Sequence, residues 1–357
     1  MNRNLRLALL VAVILGLVAA GMWAERARGP RTGGGGSAAD STNFRTFTAE
    51  VMATTITATL PDGPGAQAGA DTVFGVFRRV DAEMSEWKPS SPLSEVNREA
   101  GKAAVPVPAA LRAVIRKGVD LGEMTGGAFD ITWAALWGLW DFRSSHPTVP
   151  DSAEAARRAA LVDYRKVQID ENAGTVRLPE VGMKIGLGGI AKGYALDLSV
   201  RALRERGVDD FLLLGGGQVY AGGTRNGRPW RVGIRDPRGA PDDFFATLDV
   251  SDVSVSTSGD YESYFILNGV RWHHILDPRT GMPARGLRSA TVISPDATLA
   301  DALSTAMMVM GAKKGMALVE RLPNVEAVLV DDHGTVLVSS GLEHVLALLH
   351  PPIRGDG

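Results

Sequence analysis

Hydrophobic residues change their spacing along this chain, and the changes mark out its elements. Residues 7–24 form a run of eighteen mostly apolar residues without a charge, with Arg3 and Arg6 before it and Glu25, Arg26, Arg28 and Arg31 after it. A run of that length with charged flanks reads as an export signal, either an uncleaved anchor that holds the protein on the periplasmic side of the inner membrane, the favoured reading, or a signal peptide whose cleavage would free it into the periplasm. The glycine-rich stretch over 29–40 reads as a flexible tether. Residues 1–24 are therefore assigned to the signal, 25–43 to the linker, 44–350 to the folded domain and 351–357 to a tail.

Beyond the tether, residues 47–60 carry the Thr, Val and Ile content of a strand and end at the turn Pro61-Asp62-Gly63. Val73, Phe77, Val80 and Met84 then fall at helical spacing. Residues 85–97 read as a loop in which Ser91 caps a short helix with Pro92 at its first position. A second helix is predicted over 109–124, stopping at Gly126-Gly127. VQIDENAGTVRLP reads as a hairpin, and FLLLGGGQVYAGG, at 211–223, as a buried strand running into a glycine-rich bend. Strand-like segments continue through WRVGIRDP, DVSVSTSG and RWHHILDP. The helix ADALSTAMMVMG follows ATVISP, and the segment GMALVERL and a last hairpin around DDHG come after it. Strands and helices mix without strict βαβ alternation, which predicts an α+β fold with mixed or antiparallel sheets.

Composition narrows the function. With 45% hydrophobic and 22% charged residues the chain buries a sizeable core. A net charge of -2 and the lack of a long basic run leave no electrostatic footprint for nucleic acid. Cysteine is absent, so disulfides, thiolate metal sites and lipid attachment through cysteine are excluded, and any metal is held by oxygen or nitrogen.

Glycine concentrates in KIGLGGIAKGYALD, 184–197, where an extended segment enters a helix. Such a turn brings main-chain N–H groups and a helix N-terminus close to an anion, and Lys192 adds positive charge; a tight connection with a surface lysine is the plainer reading. The segment matches neither the P-loop nor the dinucleotide glycine pattern. Asp301 and Thr305 lie one helical turn apart on one face. Their hard oxygens suit Mg²⁺, although an Asp capping a loop and a Thr bonding back to the carbonyl four residues earlier would look the same. In TGGAFDITWAALWGLW, Trp133, Trp137 and Trp140 recur at four and three residues, as on one helical face, and serve either a core or a flavin-stacking surface. Asp130 there is a turn carboxylate that could receive a ring N–H or a ribose hydroxyl, or cap a helix. His273 and His274 point to opposite faces of a strand, so one at most enters a given pocket, where it would be a general base. Asp277 and Arg279 of DPRTG could simply hold their turn together.

Together, MSEWKPSSPLSEVN, GGAFDIT, GLGGIAKGYALD, LLLGGGQVYAGG, STSGDYE, HILDPRTGMPA and DALSTA, in that order, resemble the ApbE family of FAD:protein FMN transferases over about 51–340. The resemblance implies a two-lobed α+β flavin-transferase fold with FAD between the lobes. By it, Asp301, Thr305 and the main-chain carbonyl of Gly189 ligate Mg²⁺. Met52, Trp87, Ala128, Phe129, Asp130, Lys192 and Ile275 line the flavin nucleotide, and His274 is the base. The implied reaction moves FMN from FAD to a Ser or Thr hydroxyl of an exported or membrane acceptor, such as a flavoprotein subunit of a membrane redox complex, with release of AMP at the periplasmic side. Hydrolysis of FAD to FMN and AMP, and a non-catalytic flavin-binding assembly protein, are the rival expectations. One position departs from the family pattern: Gly186 stands where D-L-G-G-I-A-K-G has its Asp, and Asp130, Asp260 and Asp277 are the acids that could compensate.

Overall fold

The computed structural model describes residues 42–355, so the predicted signal and most of the tether lie outside the described residues. Among the described residues no helix is long and apolar enough to cross a membrane.

In chain order the elements are β1 (Phe44–Val51), β2 (Thr54–Pro61), α1 (Ala66–Met84), α2 (Pro92–Arg98), β3 (Val105–Pro106), α3 (Ala109–Met124), α4 (Ser152–Ala159), β4 (Gln168–Asp170), β5 (Thr175–Arg177) and α5 (Ala191–Arg204). There follow β6 (Phe211–Gly215), β7 (Gln218–Gly222), β8 (Trp230–Arg235), β9 (Phe244–Val250), β10 (Val253–Gly259), β11 (Tyr264–Leu267), β12 (Val270–His273), β13 (Leu287–Ser294), α6 (Ala297–Val319), β14 (Glu326–Asp331), β15 (Val336–Val338) and β16 (Ala347–Leu348).

The frame is an eight-stranded sheet in the order β1-β2-β6-β7-β10-β13-β14-β15, antiparallel at every pairing. This is the expected mixture of helices and antiparallel sheet. Its interior strand β13 is buried along its whole length because both faces are covered. Ala290 and Val292 join Leu303, Met307 and Met308 of α6 in one core, while Ile293 joins Val232, Ile234 and Leu248 of the small sheet β16-β9-β8 in another. The two-residue period sends alternate side chains to opposite layers and thereby fixes the register. A third core gathers α1, α2, α3 and α5 around Ile56, Ala58 and Leu60 of β2.

Three sequence expectations are refined. The segment 47–60 is two strands joined at Met52-Ala53, both at positive φ (56° and 57°), the backbone that a two-residue hairpin turn requires. Similarly, 211–223 is a hairpin: Gly216 and Gly217 take φ of 57° and 84° and turn β6 back as β7. ADALSTAMMVMG and GMALVERL are the two halves of α6, broken at Gly311 with φ 74° and ψ 169°.

The tryptophan stripe is corrected. Only a short 3₁₀ turn, Ala134–Leu136, forms there, and Gly138 at φ 75° ends the path. Trp133 meets Trp137 edge-on at 6.3 Å, but Trp140 turns away to stack on Trp272 and to donate from Nε1 to the Gly281 carbonyl at 2.8 Å. Helical spacing misleads here because the backbone leaves the turn at Trp137 (ψ 138°) and Gly138 (φ 75°), before a second helical turn can form.

Candidate active site

The glycine turn before α5 is built from three sides. Gly186 N–H donates to the Ile131 carbonyl at 2.8 Å. Asn97, on α2, both donates to the Ile185 carbonyl (2.9 Å) and accepts from the Ile185 N–H (2.7 Å). Phe129, buried behind Gly126 and Gly127, closes the third side: a Cβ on Gly189 would lie 3.3 Å from its ring. The same hypothetical atom would be 3.5 Å from Thr305 Oγ1, so the turn and α6 meet at Gly189.

α5 then crosses α6 at close range. A Cβ on Gly193 would stand 2.2 Å from the Ala297 carbonyl oxygen, so glycine is required for the approach. That approach lets the Gly193 N–H reach Asp301 Oδ2 at 3.0 Å, while Asp301 Oδ1 lies 4.0 Å from Lys192 Nζ. Lys192 also donates to the Gly188 carbonyl at 2.6 Å, and its stem crosses Gly216, where a Cβ would come within 2.8 Å of Lys192 Cδ. The helix carrying Asp301 is capped twice: Asp296 accepts from Leu299 N–H at 2.7 Å, and Asp197 accepts from the N–H groups of Ala297 and Thr298, both at 2.9 Å. Burial raises the Asp197 pKa, with the Thr298 hydroxyl and the two helix N–H groups opposing the rise.

Thr305 is half-buried and pairs with Ser258 Oγ at 3.2 Å, and Ser258 is 2.8 Å from Ser304 Oγ. Asp301 and Thr305 are thus set against the turn at Gly193 and Gly189, with Asp301 Oδ1 turned toward Lys192 rather than to a main-chain donor, and oxygen donors of this kind suit a hard cation.

The two histidines separate because β12 ends between them: His273 is its last residue and His274 lies in the bend beyond, so strand alternation does not set their directions. His273 is buried, with Nε2 at 2.8 Å from the Ala284 carbonyl oxygen, a structural role. His274 keeps an accessible ring, yet protein atoms crowd it, and this loss of surrounding water, with His273 and Lys192 adding to it, lowers its pKa to about 4. At neutral pH the ring is unprotonated and able to accept a proton.

The other sequence-derived residues differ in burial and in their partners. Ala128 and Ile275 are buried beside Phe129 and His274 in the chain, and Met52 is half-buried against the helical core. Trp87 stands at the rim, 70% exposed and stacked on Trp137 at 4.2 Å. Both carboxylate oxygens of Asp130 are engaged, Oδ1 by Thr132 N–H and hydroxyl (2.8 and 2.6 Å) and Oδ2 by Tyr164 N–H (2.9 Å), while burial raises its pKa. Asp260 is clamped by Arg238 at 2.7 and 2.8 Å, and Asp277 by Arg279 at 2.8 and 2.7 Å. None of the three acids is therefore free to replace a carboxylate at Gly186. Sequence reasoning passed over Asn97, Gly193, Asp197, Ser258 and Ser304. All lie inside the quoted motifs, but only their hydrogen bonds across the fold assign them tasks.

Comparison with known proteins identifies the family and the fold. The sequence profile of the ApbE family matches residues 52–329. An FAD:protein FMN transferase from Treponema pallidum is 34% identical over 77% of this chain and 80% of its own, and one from Klebsiella pneumoniae is 32% identical over 77% and 85%. The crystal structure of the ApbE protein of Thermotoga maritima superimposes with a TM-score of 0.77 at 33% identity, covering 84% of this chain and 98% of that one. The flavin transferase ApbE from Vibrio cholerae gives 0.75 at 26% identity, with 85% and 99% covered. A sequence match over most of the domain, on a shared fold, places this chain in the ApbE family.

Proposed function

We propose that the protein is an Mg²⁺-dependent FAD:protein FMN transferase that joins FMN to a Ser or Thr hydroxyl of an exported acceptor protein and releases AMP. The observation that carries the reading is the approach of Asp301 and Thr305 to the turn at Gly193 and Gly189, beside the Lys192 ammonium, which we read as a cation site next to an anion-binding turn. A pyrophosphate needs both.

Asp301 Oδ1, Thr305 Oγ1 and the Gly189 carbonyl would hold Mg²⁺, which when bound supplies neutralisation of charge building on the phosphate oxygens. Lys192 draws the phosphates to the turn. The unprotonated His274 ring accepts the acceptor hydroxyl's proton as the hydroxyl oxygen bonds to the phosphorus nearest riboflavin. The bond from that phosphorus to the bridging oxygen breaks, and its electron pair leaves with AMP. Positioning and electrostatics suffice for this chemistry, so no covalent nucleophile on the enzyme is required. The apolar run over 7–24 supports an acceptor on the far side of the inner membrane.

The test is incubation of the purified chain with FAD, Mg²⁺ and an acceptor domain bearing Ser or Thr. Fluorescent flavin retained by the acceptor after denaturation is the expected result. Free FMN and AMP would make the protein a hydrolase, and intact FAD held without turnover would make it a binding protein.

A further inference from the structure

Glu86 is a half-buried acid facing the glycine turn, and neither the motifs nor the proposed chemistry gives it a task. Its segment is held firmly. Ser91 Oγ donates to the Ser85 carbonyl at 2.6 Å, and Ser94 Oγ donates to the Glu86 carbonyl at 3.3 Å. Asn97, at the end of the helix that begins there, grips Ile185 on the opposite segment. The spacing between the two segments is thereby fixed, and it leaves Glu86 Oε1 3.7 Å from where a Cβ on Gly188 would lie. Burial raises the carboxyl's pKa, while the main-chain N–H groups of Glu86 and Leu187 and the Lys192 charge oppose the rise. Lys192 therefore bears on two acids, Asp301 and Glu86.

Position 186 shows the complementary loss. A Cβ on Gly186 would be 2.9 Å from Trp133 Nε1, 3.0 Å from its Cε2 and 3.1 Å from Ala134 Cβ. The indole, which donates to the Gly186 carbonyl at 3.0 Å, fills the space into which an acidic side chain would project. Two residues further on, Glu86 reaches the same turn at Gly188, and its chain neighbour Trp87 is exposed.

We propose that Glu86 is the acidic residue of the flavin-nucleotide site, supplying beside Gly188 the carboxylate that Gly186 lacks and accepting hydrogen bonds from hydroxyl or ring N–H donors of bound FAD. This rests on FAD being the ligand. Gly186, Trp133 and Glu86 then form one set: the indole excludes an acid at one position, and the neighbouring segment provides it at another.

Equilibrium FAD binding, followed by quenching of flavin fluorescence on the full chain, tests this apart from turnover. Glu86→Ala is expected to weaken FAD binding about ten- to a hundredfold, the loss typical of a hydrogen bond to a charged group. Glu86→Gln keeps the size and loses the charge, so about fivefold is expected. Adding Gly186→Asp with Trp133→Ala to Glu86→Ala should recover most of the affinity. Riboflavin and AMP as separate probes assign the donor to one half of the nucleotide, and weakening for either one supports the proposal. A wild-type protein that binds no FAD overturns both this proposal and the function it rests on. A wild type that binds FAD while both Glu86 variants match it overturns this proposal alone. If Glu86→Ala does not fold, an unchanged dissociation constant in Glu86→Gln is sufficient to overturn it.

Discussion

Asp301 divides its two oxygens between structure and chemistry. Oδ2 satisfies the Gly193 N–H at the crossing of two helices, and Oδ1 looks toward Lys192. The two tasks separate by substitution. Asp301→Asn keeps an acceptor for Gly193 and loses the charge, so its melting temperature should stay close to wild type while flavin transfer to an acceptor is lost. Asp301→Ala should lose transfer and, in addition, about 1–3 kcal/mol of stability, because it leaves a buried N–H without a partner. A paired thermal-unfolding and gel-fluorescence measurement reads both, and full transfer by Asp301→Asn would remove the carboxylate from the chemistry. His274 carries a second residue-scale prediction. With its pKa lowered to about 4, the ring is the proton acceptor throughout the neutral range, and kcat/KM should fall as pH drops through about 4. His274→Ala should keep FAD affinity, lose about 10²–10⁴ in rate and lose that acidic limb. The same shift has a sign for stability: the unfolded chain binds the proton near the ordinary value of about 6.5 and the folded chain does not, so this ring contributes stability that is lost as pH falls from 6.5 toward 4.

At the scale of elements, the site depends on how closely α5 can lie on α6. Gly193→Ala would place a methyl carbon against the Ala297 carbonyl, and because a main-chain atom cannot swing aside, the helices must separate. A loss of about 1–3 kcal/mol or more is expected, with a melting point about 2–4 °C lower for each kcal/mol, and Mg²⁺-dependent transfer should fall with it because Asp301 moves with α6. Unchanged melting and transfer would show that the crossing tolerates a side chain. What the sequence made legible follows the same division. Elements set by local periodicity or local capping were readable: the Ser91 cap accepts from Ser94 N–H at 3.0 Å, as its place before Pro92 predicts, and α3 ends at its glycine pair. Segments whose path depends on glycine at positive φ were compressed into single strands, because hydrophobic content over 211–223 does not register the reversal at Gly216-Gly217. The tryptophan spacing failed for a related reason, since the extended Trp137 and the positive φ of Gly138 end the turn, and a periodicity of side chains does not register that. Asp301 and Thr305 could be paired from sequence because one helix holds both, whereas Glu86, Ser258 and Asn97 reach the site only through tertiary contacts.

For the whole molecule, the eight-stranded sheet separates the reacting groups from a second structural layer. α6 and its Asp301 lie on one face, and β8, β9 and the C-terminal segment cover the other. That segment is held by several independent contacts. β16 pairs with β9, Ile353 N–H donates to Asp236 at 2.9 Å, Arg288 Nη1 donates to the Ile353 carbonyl at 2.8 Å, and His350 Nε2 lies 3.2 Å from Asp243 Oδ1. The Pro351 carbonyl and the Asp243 carboxylate raise the His350 pKa. A raised histidine pKa means that the folded chain holds the proton more tightly, so this contribution is complete below the unfolded value of about 6.5 and is lost as pH rises through the folded one. Hydrogen exchange of the 347–353 amides should therefore quicken as pH rises past that range by more than the intrinsic chemistry demands, and His350→Ala should abolish the excess. Removing residues 344–357 takes away Leu346, which packs on the core that holds Leu248, and bares the edge of β9 that β16 covers, so the melting temperature should drop while the FAD dissociation constant stays near wild type. A truncated protein that melts normally would mean that these contacts add nothing to the fold. One that remains folded but loses FAD would mean that the sheet transmits strain from one face to the other, since none of the contacts that hold the segment touches Asp301, Lys192 or the glycine turn.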